Sequence, residues 1–175
     1  MTKILTISGS LRSASSNGSL LGAAARLAPA GVTVVPYTQL AAIPPFNPDI
    51  DSDDGDVPPA VAHWRAALRD ADAVLISSPE YAHGLPGELK NALDWVVGSG
   101  ELYDKPTGVL SVSAASRFAH PQLVEVLQTM TARVVPEATR LLDLPRRGAD
   151  AAELAADAAC AGVVREIMDA LVRRC

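Results

Sequence analysis

Short apolar runs alternate along this chain with segments of helical spacing, and this alternation constrains the fold more than any other feature. The run from Ala73 to Ile76, for example, contains no polar residue. A strand exposed on one face alternates polar and apolar residues, whereas a strand buried on both faces is apolar throughout. The runs therefore predict a doubly wound α/β domain of three layers, in which helices cover both faces of a parallel sheet. Five strands are predicted, at residues 3–8, 32–36, 73–77, 107–112 and 133–142.

A helix is predicted after each strand. Asp56 and the prolines behind it indicate the start of the second helix, because an Asp cap and early prolines suit the free N-terminal amides. Asp150 and Glu153 have the spacing of a capping box, which indicates the start of one long final helix. The other helical segments are predicted at residues 20–25, 85–96 and 121–131, with the second helix at 56–70.

Composition limits the classes of protein that this chain can belong to. With 175 residues, 49% of them apolar, it suits one domain over residues 1–175 with a substantial core. Its formal net charge is -5 and no basic run exceeds two residues, which argues against a nucleic-acid binder. The apolar runs are far shorter than the about 18 residues of a membrane span, so we expect neither a span nor a signal peptide. The two cysteines lack metal-ligand spacing and suit the cytoplasm.

An acidic segment between Asp49 and Asp56 resembles the start of a calcium-binding loop. The position that requires glycine holds Asp54, and Ala60 stands where a bidentate carboxylate is needed. We therefore predict a solvated acidic loop and no metal site. The chain also lacks a Gly-x-Ser-x-Gly elbow, which argues against the commonest serine hydrolases.

Three unusual loops follow the first, third and fourth predicted strands, and in such sheets ligands bind beyond the carboxyl ends of the strands. The first loop, from Gly9 to Ser19, is rich in hydroxyls and carries one cation, Arg12. Small residues, hydroxyls and a helix N-terminus suit a phosphate group. The alternative interpretation is a Ser-rich turn that only caps a helix.

The second and third loops complete the crevice. The second loop, from Ser77 to Gly87, is a rigid turn that presents backbone groups beside Tyr81, and these suit the polar edge of a flat heteroaromatic ring. His83 has no evident catalytic partner in the sequence, so we interpret it as a polar loop residue. The third loop, residues 111–118, again offers hydroxyls and amides.

Two motifs give this chain a resemblance to a known family. The segment Gly9-Ser10-Leu11-Arg12 with Ser15 and Asn17 is the first, and Pro79-Glu80-Tyr81 followed by residues 85–95 is the second. Together they resemble the NAD(P)H-dependent FMN reductases, which include quinone, azo-dye and chromate reductases. The resemblance implies a flavodoxin-like fold with non-covalent FMN, its phosphate in the first loop and its ring against the second.

The resemblance also implies which residues bind the cofactor and what the protein does. It implies hydride transfer from NADPH or NADH to FMN, and then reduction of a quinone, free flavin or similar small acceptor, without a catalytic acid or base. It further implies a homodimer or homotetramer, with Trp95 and its helix as a possible interface. The implied FMN-binding residues are Ser10, Arg12, Ser15, Ser16, Asn17, Pro79, Glu80, Tyr81, Ala82, Ser113 and Ser116.

Two departures from the family pattern leave alternatives open. Asn, Gly and Ser commonly follow the Tyr, where this chain has Ala82, His83 and Gly84, and Ala114-Ala115 replaces a common Gly-Gly pair. Backbone contacts to the flavin do not depend on side-chain identity and survive such changes. One alternative is a flavodoxin-type electron carrier without NAD(P)H activity. The other is an interaction module that keeps the fold without flavin.

Overall fold

One parallel sheet of five strands organises the chain. A computed structural model describes residues 1–51, 57–112, 116–144 and 148–175. The spatial strand order is β2-β1-β3-β4-β5, and every neighbouring pair is parallel. The predicted doubly wound α/β fold is thus confirmed, and the strand order reverses between β1 and β3. The strands are β1 (Thr2–Ser8), β2 (Val32–Tyr37), β3 (Ala73–Ser77), β4 (Pro106–Val112) and β5 (Arg133–Leu142).

Helices cover both faces of the sheet. In chain order they are α1 (Ser16–Arg26), α2 (Pro59–Arg69), α3 (Gly87–Asp94), α4 (Ala119–Thr129), α5 (Ala151–Ala156) and α6 (Ala158–Val172). Apolar residues of α2, α3 and α4 share one core cluster, and those of α1, α5 and α6 share the other. Within the described residues, no helix combines the length and the apolarity that crossing a bilayer requires.

The two core clusters explain why the strands are apolar throughout. Successive side chains of a strand point to opposite faces of the sheet. In β3, Val74 and Ile76 join the cluster under α2, α3 and α4, while Ala73 and Leu75 join the cluster under α1, α5 and α6. All four side chains are fully buried. Both faces of the strand therefore require apolar residues.

The prediction of one long final helix is wrong. Asp150 and Glu153 do form the predicted capping box, but they cap only the short helix α5. Asp157 then adopts an extended conformation, with φ -70° and ψ 118°, and its carboxylate accepts a hydrogen bond from the Cys160 amide at 2.8 Å. Asp157 is a cap within an alanine-rich segment, so the chain ends one helix there and begins another.

Other helix boundaries also differ from the predictions. Helix α1 begins at Ser16 rather than Leu20, which moves Ser16 and Asn17 from the loop into its first turn. Helix α3 ends at Asp94, earlier than predicted. Helix α2 begins at Pro59, and its predicted cap Asp56 lies outside the described residues, as does the acidic segment from 52 onward.

Both tryptophans lie in the core. The indole of Trp64 donates a hydrogen bond to the Ala92 carbonyl, and that of Trp95 donates to the Pro44 carbonyl, each at 2.8 Å. Neither side chain is exposed. Trp95 therefore anchors the segment before α2 to α3, and its side chain belongs to the core of the chain.

Candidate functional site

The three predicted loops leave the sheet side by side. They follow β1, β3 and β4, which are consecutive neighbours in the sheet. Sheet hydrogen bonding continues just past the strand ends: the Gly9 amide donates to Ser77 O at 2.9 Å, and the Ser78 amide donates to Leu110 O at 3.0 Å. The loops therefore begin at a fixed separation on one edge of the sheet, beside the point where the strand order reverses.

The first loop ends in the N-terminus of α1. The Ser15 side chain caps this helix by accepting from the Gly18 amide at 3.4 Å. The first turn of α1 contains no acidic residue, so no carboxylate of that turn offsets the positive end of the helix dipole. Ser16 is half-buried at the first helical position. This arrangement suits an anion.

The other first-loop residues surround the same helix end. Ser10 is buried, and its hydroxyl accepts from the Arg12 amide at 3.4 Å and lies 3.5 Å from the Tyr81 hydroxyl. Arg12 is exposed and forms no ion pair with any described residue. Asn17 is buried, and its side-chain oxygen accepts from the Ser77 hydroxyl at 2.8 Å. The sequence-predicted phosphate residues are thus brought together.

A cavity of about 440 Å³ adjoins the first loop. Ser8, Ser10 and Arg12 lie at its polar part, and its apolar wall includes Leu21 of α1 and Val34 of β2. The second loop does not line it. The cavity therefore lies between the first loop, α1 and β2.

Close approach between the first two loops depends on Gly9. A Cβ at this position would lie 2.8 Å from the Ser78 hydroxyl oxygen and 3.1 Å from a methyl of Leu89. The first distance is shorter than real Cβ contacts allow. A side chain here would therefore require Ser78, Leu89 or the first loop to shift.

The second loop is a tight two-residue turn. Tyr81 and Gly84 exchange backbone hydrogen bonds of 3.0 and 2.9 Å. The central residues, Ala82 and His83, have positive φ angles of 48° and 61°. Two positive φ angles are the mark of a type I′ turn, which favours Asn-Gly. Tyr81 and Ala82 are exposed, and Pro79 is half-buried.

Glu80 does not direct its carboxylate at the crevice. One carboxylate oxygen accepts from the amides of Phe118 and Ala119 at 2.7 and 2.9 Å, which caps α4. The hydrogen bonds from Ala119 and Phe118 lower the pKa of Glu80. The carboxylate of Glu80 therefore joins the second loop to the start of α4.

Two further contacts fasten the second loop to α4, and sequence reasoning missed them. The rings of His83 and Phe118 stack with centroids 4.3 Å apart, and the side-chain oxygen of Gln122 accepts from the Leu85 amide at 3.0 Å. The sequence does contain a signal for a cap from another segment, because no Ser, Thr, Asp or Asn stands at position 118 to cap α4. A helix without a cap of its own requires one from elsewhere.

The third loop is described only at its end. Ser113, Ala114 and Ala115 lie outside the described residues. Ser116 is buried, and its hydroxyl oxygen has no hydrogen-bond partner within the described structure. A buried polar atom without a partner is costly, so this hydroxyl suits a ligand that approaches from the crevice.

A partly buried Ser–His pair connects the end of β4 to the start of α4. The hydroxyl of Ser111, at the end of β4, lies 3.0 Å from Nδ1 of His120 in the first turn of α4. Burial lowers the pKa of His120. Among the described residues, no group of three or more His, Cys, Asp and Glu side chains is placed to hold a metal ion.

The fold and the loops together define a class of protein. The fold is a doubly wound sheet with an anion-binding loop at its switch point and a rigid turn beside it, an arrangement typical of flavodoxin-like nucleotide-cofactor sites. FMN fits the donor set, because a phosphate matches the α1 N-terminus with Arg12, and the unpaired Ser116 hydroxyl is available to the same ligand.

Comparison with known proteins identifies the family. Residues 2–144 match the family model described as NADPH-dependent FMN reductase, so the chain belongs to that family and the resemblance is confirmed. A probable NADPH:quinone oxidoreductase from Oryza sativa is 40% identical over 112 residues, which cover 62% of this chain and 57% of that protein. An NAD(P)H-dependent FMN reductase from Pseudomonas aeruginosa is 40% identical over 114 residues, or 64% and 60% of the two chains. The aligned region thus spans roughly three fifths of these relatives' length.

Solved structures share the fold. FerB, a flavoenzyme NAD(P)H:(acceptor) oxidoreductase from Paracoccus denitrificans, superposes with a TM-score of 0.76 at 25% identity. The alignment covers 99% of this chain and 96% of FerB. An azoreductase from Bacillus anthracis superposes at 0.62 with 18% identity, which supports the fold alone.

Proposed function

We propose that this chain is an NAD(P)H-dependent FMN reductase that delivers electrons from NADPH or NADH to a quinone, free flavin or similar small acceptor. The observation that carries the proposal is the first loop, where buried hydroxyls, Arg12 and the uncompensated N-terminus of α1 converge. Membership of the NADPH-dependent FMN reductase family supports it, as do the names of the related reductases.

Five residues would hold the FMN phosphate. Ser10, Ser15 and Ser16 supply hydroxyls or amides at the start of α1, and Arg12 supplies the charge. The side-chain oxygen of Asn17 is used by Ser77, so its amide nitrogen is the group that would donate to the phosphate.

The flavin ring would lie between the second and third loops. Pro79, Tyr81 and Ala82 would contact it mainly through their backbone, together with the backbone of Glu80. Ser116 would donate or accept through its unpaired hydroxyl, with Ser113 as its neighbour in the same loop. None of these residues is required as a catalytic acid or base.

The protein's part in the reaction is to bind and orient. FMN supplies the chemistry when bound, since it accepts a hydride from a reduced nicotinamide and returns two electrons to a second substrate. The rigid turn at Tyr81 and the cap on α4 fix the walls against which both substrates must fit. Positive charge at the first loop holds the anionic end of the cofactor.

We further propose that residues 1–175 form one domain that assembles into a homodimer or homotetramer in the cytoplasm. Three exposed apolar residues support a surface for assembly: Phe46, Ile50 and Val97 are 38%, 45% and 58% exposed. Phe46 packs edge-on against the buried Trp95 at 5.1 Å. Light scattering of the purified protein measures the assembly, and a Val97→Asp variant should weaken it.

An anaerobic visible spectrum tests the activity. The FMN-saturated protein is recorded before and after one equivalent of NADPH, and then of NADH. Loss of the oxidised flavin absorbance supports the reductase and ranks the two donors. Flavin that binds without losing absorbance indicates an electron carrier instead. If the protein does not bind FMN, the proposal fails, and an interaction module that keeps the fold without flavin is the remaining alternative.

A further inference from the structure

A pair of stacked, solvent-facing rings joins the tip of the second loop to the end of the third loop, and the proposed cofactor contacts do not use it. His83 is exposed and Phe118 is 51% exposed, although each covers part of the other at 4.3 Å. The chain has only seven aromatic residues besides histidine, namely 2 Trp, 3 Tyr and 2 Phe. Tyr81, at 50% exposure, belongs to the same turn. Two of the exposed aromatic side chains, Tyr81 and Phe118, thus lie with the His83 ring beside this crevice.

The residues at the tip of this turn are not the ones that its backbone conformation favours. Ala82 and His83 both hold positive φ angles, where Asn-Gly is the preferred sequence. Strained positions persist where the surrounding structure holds them, and they cluster at binding sites. His83 holds a φ of 61° while its imidazole stacks on Phe118.

Hydrogen bonds to the backbone near both rings hold the pair in place. The Phe118 amide donates to Glu80. The amide of Leu85, two residues after His83, donates to Gln122. The backbone that carries each ring is therefore tied to the neighbouring element. A fixed pair of flat rings is a preorganised surface for another flat ring, because little conformational freedom is lost on binding.

We propose that His83 and Phe118 form a stacking surface that binds the planar ring of a quinone acceptor and so determine acceptor specificity. This inference rests on the proposed function, because it concerns the second substrate of that site. A quinone suits two exposed rings because all of it is one small planar ring system, whereas the nicotinamide ring is only one end of a much larger dinucleotide.

Two variants remove the rings while keeping the backbone. His83→Asn loses the imidazole but keeps a residue that tolerates a positive φ. Phe118→Leu loses the aromatic face but keeps apolar volume and the amide that Glu80 binds. Tyr103→Leu is the matched control, because Tyr103 is an aromatic residue of 73% exposure outside the three loops. Melting temperature and the flavin spectrum establish that each variant is folded and loaded.

The first readout is binding without turnover. Menadione is titrated by calorimetry into oxidised, FMN-loaded protein, where no donor is present to reduce it. We expect the Kd to rise roughly three- to tenfold in His83→Asn and in Phe118→Leu, as the loss of an aromatic contact implies, and to stay constant in Tyr103→Leu. An unchanged Kd in either folded loop variant would overturn the proposal, as would wild-type protein that does not bind menadione.

The second readout separates acceptor from donor. With menadione as acceptor, the KM should rise by the same factor while the rate of flavin reduction by NADPH stays constant. Turnover with ferricyanide, which has no ring to stack, should not change. Weaker use of NADPH with an unchanged menadione KM would assign the pair to the donor and refute the inference. If NAD(P)H does not reduce the wild-type flavin, the proposed function fails, whereas the calorimetric titration still decides the role of the rings.

Discussion

Gly9 allows the first loop to lie close to the second loop because glycine has no Cβ. In Gly9→Ala the added Cβ would meet the Ser78 hydroxyl at 2.8 Å and Leu89 at 3.1 Å, so these buried side chains or the loop backbone must shift. We expect a loss of about 1–3 kcal/mol in the free energy of unfolding, typical of overpacking. FMN binding should weaken as well. Urea denaturation and FMN titration measure the two effects.

Gly98→Ala is the control for this residue. Nothing lies within 4 Å of a Cβ at Gly98, which is remote from the three loops in the chain. Its stability and FMN affinity should stay near wild type. Equal behaviour of the two variants would show that the close approach at Gly9 has no energetic consequence.

The carboxylate of Glu80 caps the start of α4. Its pKa is lowered from 4.5 by the Ala119 and Phe118 amides, so the carboxylate stabilises the fold above that pH. This contribution is lost as the pH falls through the lowered pKa of the folded protein. We expect Glu80→Gln to lower the urea midpoint at pH 7, and the difference from wild type to close in acid.

The exposed Glu166→Gln in α6 controls for a general change of charge. If its midpoint falls as much as that of Glu80→Gln, the two amide hydrogen bonds do not account for the effect. A difference between Glu80→Gln and wild type that persists unchanged at low pH would contradict the same account.

At the scale of the elements, two helix glycines have opposite surroundings. A Cβ at Gly162 in α6 meets no atom within 4 Å, whereas a Cβ at Gly22 in α1 would lie 2.8 Å from the Cβ of Ala151 in α5. We therefore expect Gly162→Ala to stabilise the protein by about 0.5–1 kcal/mol through helix propensity. Gly22→Ala should destabilise it, because α1 and α5 would be forced apart. Thermal unfolding of both variants checks the signs, and a stabilising Gly22→Ala would show that α5 yields easily.

Sequence reasoning succeeded with elements whose signals are local. Uniformly apolar strands and the capping box at Asp150 depend on neighbours within a few residues, and both are confirmed. The start of α4 was missed because its cap, Glu80, lies 38 residues before Phe118. The break at Asp157 was missed because an Asp in an alanine-rich segment reads equally well as a solvent-facing helix residue.

At the scale of the whole molecule, the topology explains why the three candidate loops could be expected to lie together. Parallel strands bring their carboxyl ends to one edge, and the order β2-β1-β3-β4-β5 makes the loops after β1, β3 and β4 neighbours. Their mutual contacts could not be read in the same way. The Ser10–Tyr81 approach joins residues 71 positions apart, and the pairing depends on how both loops fold.

The first loop also links cofactor binding to the stability of the whole chain. A ligand that binds only the folded state stabilises it by about 2.7 kcal/mol at a hundredfold excess over its Kd. We expect FMN to raise the melting temperature more than riboflavin at equal concentration, because riboflavin lacks the phosphate that the α1 N-terminus and Arg12 would hold. Thermal unfolding with each flavin measures the difference.

Arg12→Ala should remove much of the advantage of FMN over riboflavin, and Arg12→Lys should keep part of it. A lysine retains the positive charge, but it lacks the planar fork that binds two phosphate oxygens together. Because Arg12 is exposed and forms no ion pair within the described residues, neither substitution should lower the melting temperature without flavin. Equal stabilisation of wild type by FMN and riboflavin would mean that the phosphate is not held, and the first loop would then only cap its helix.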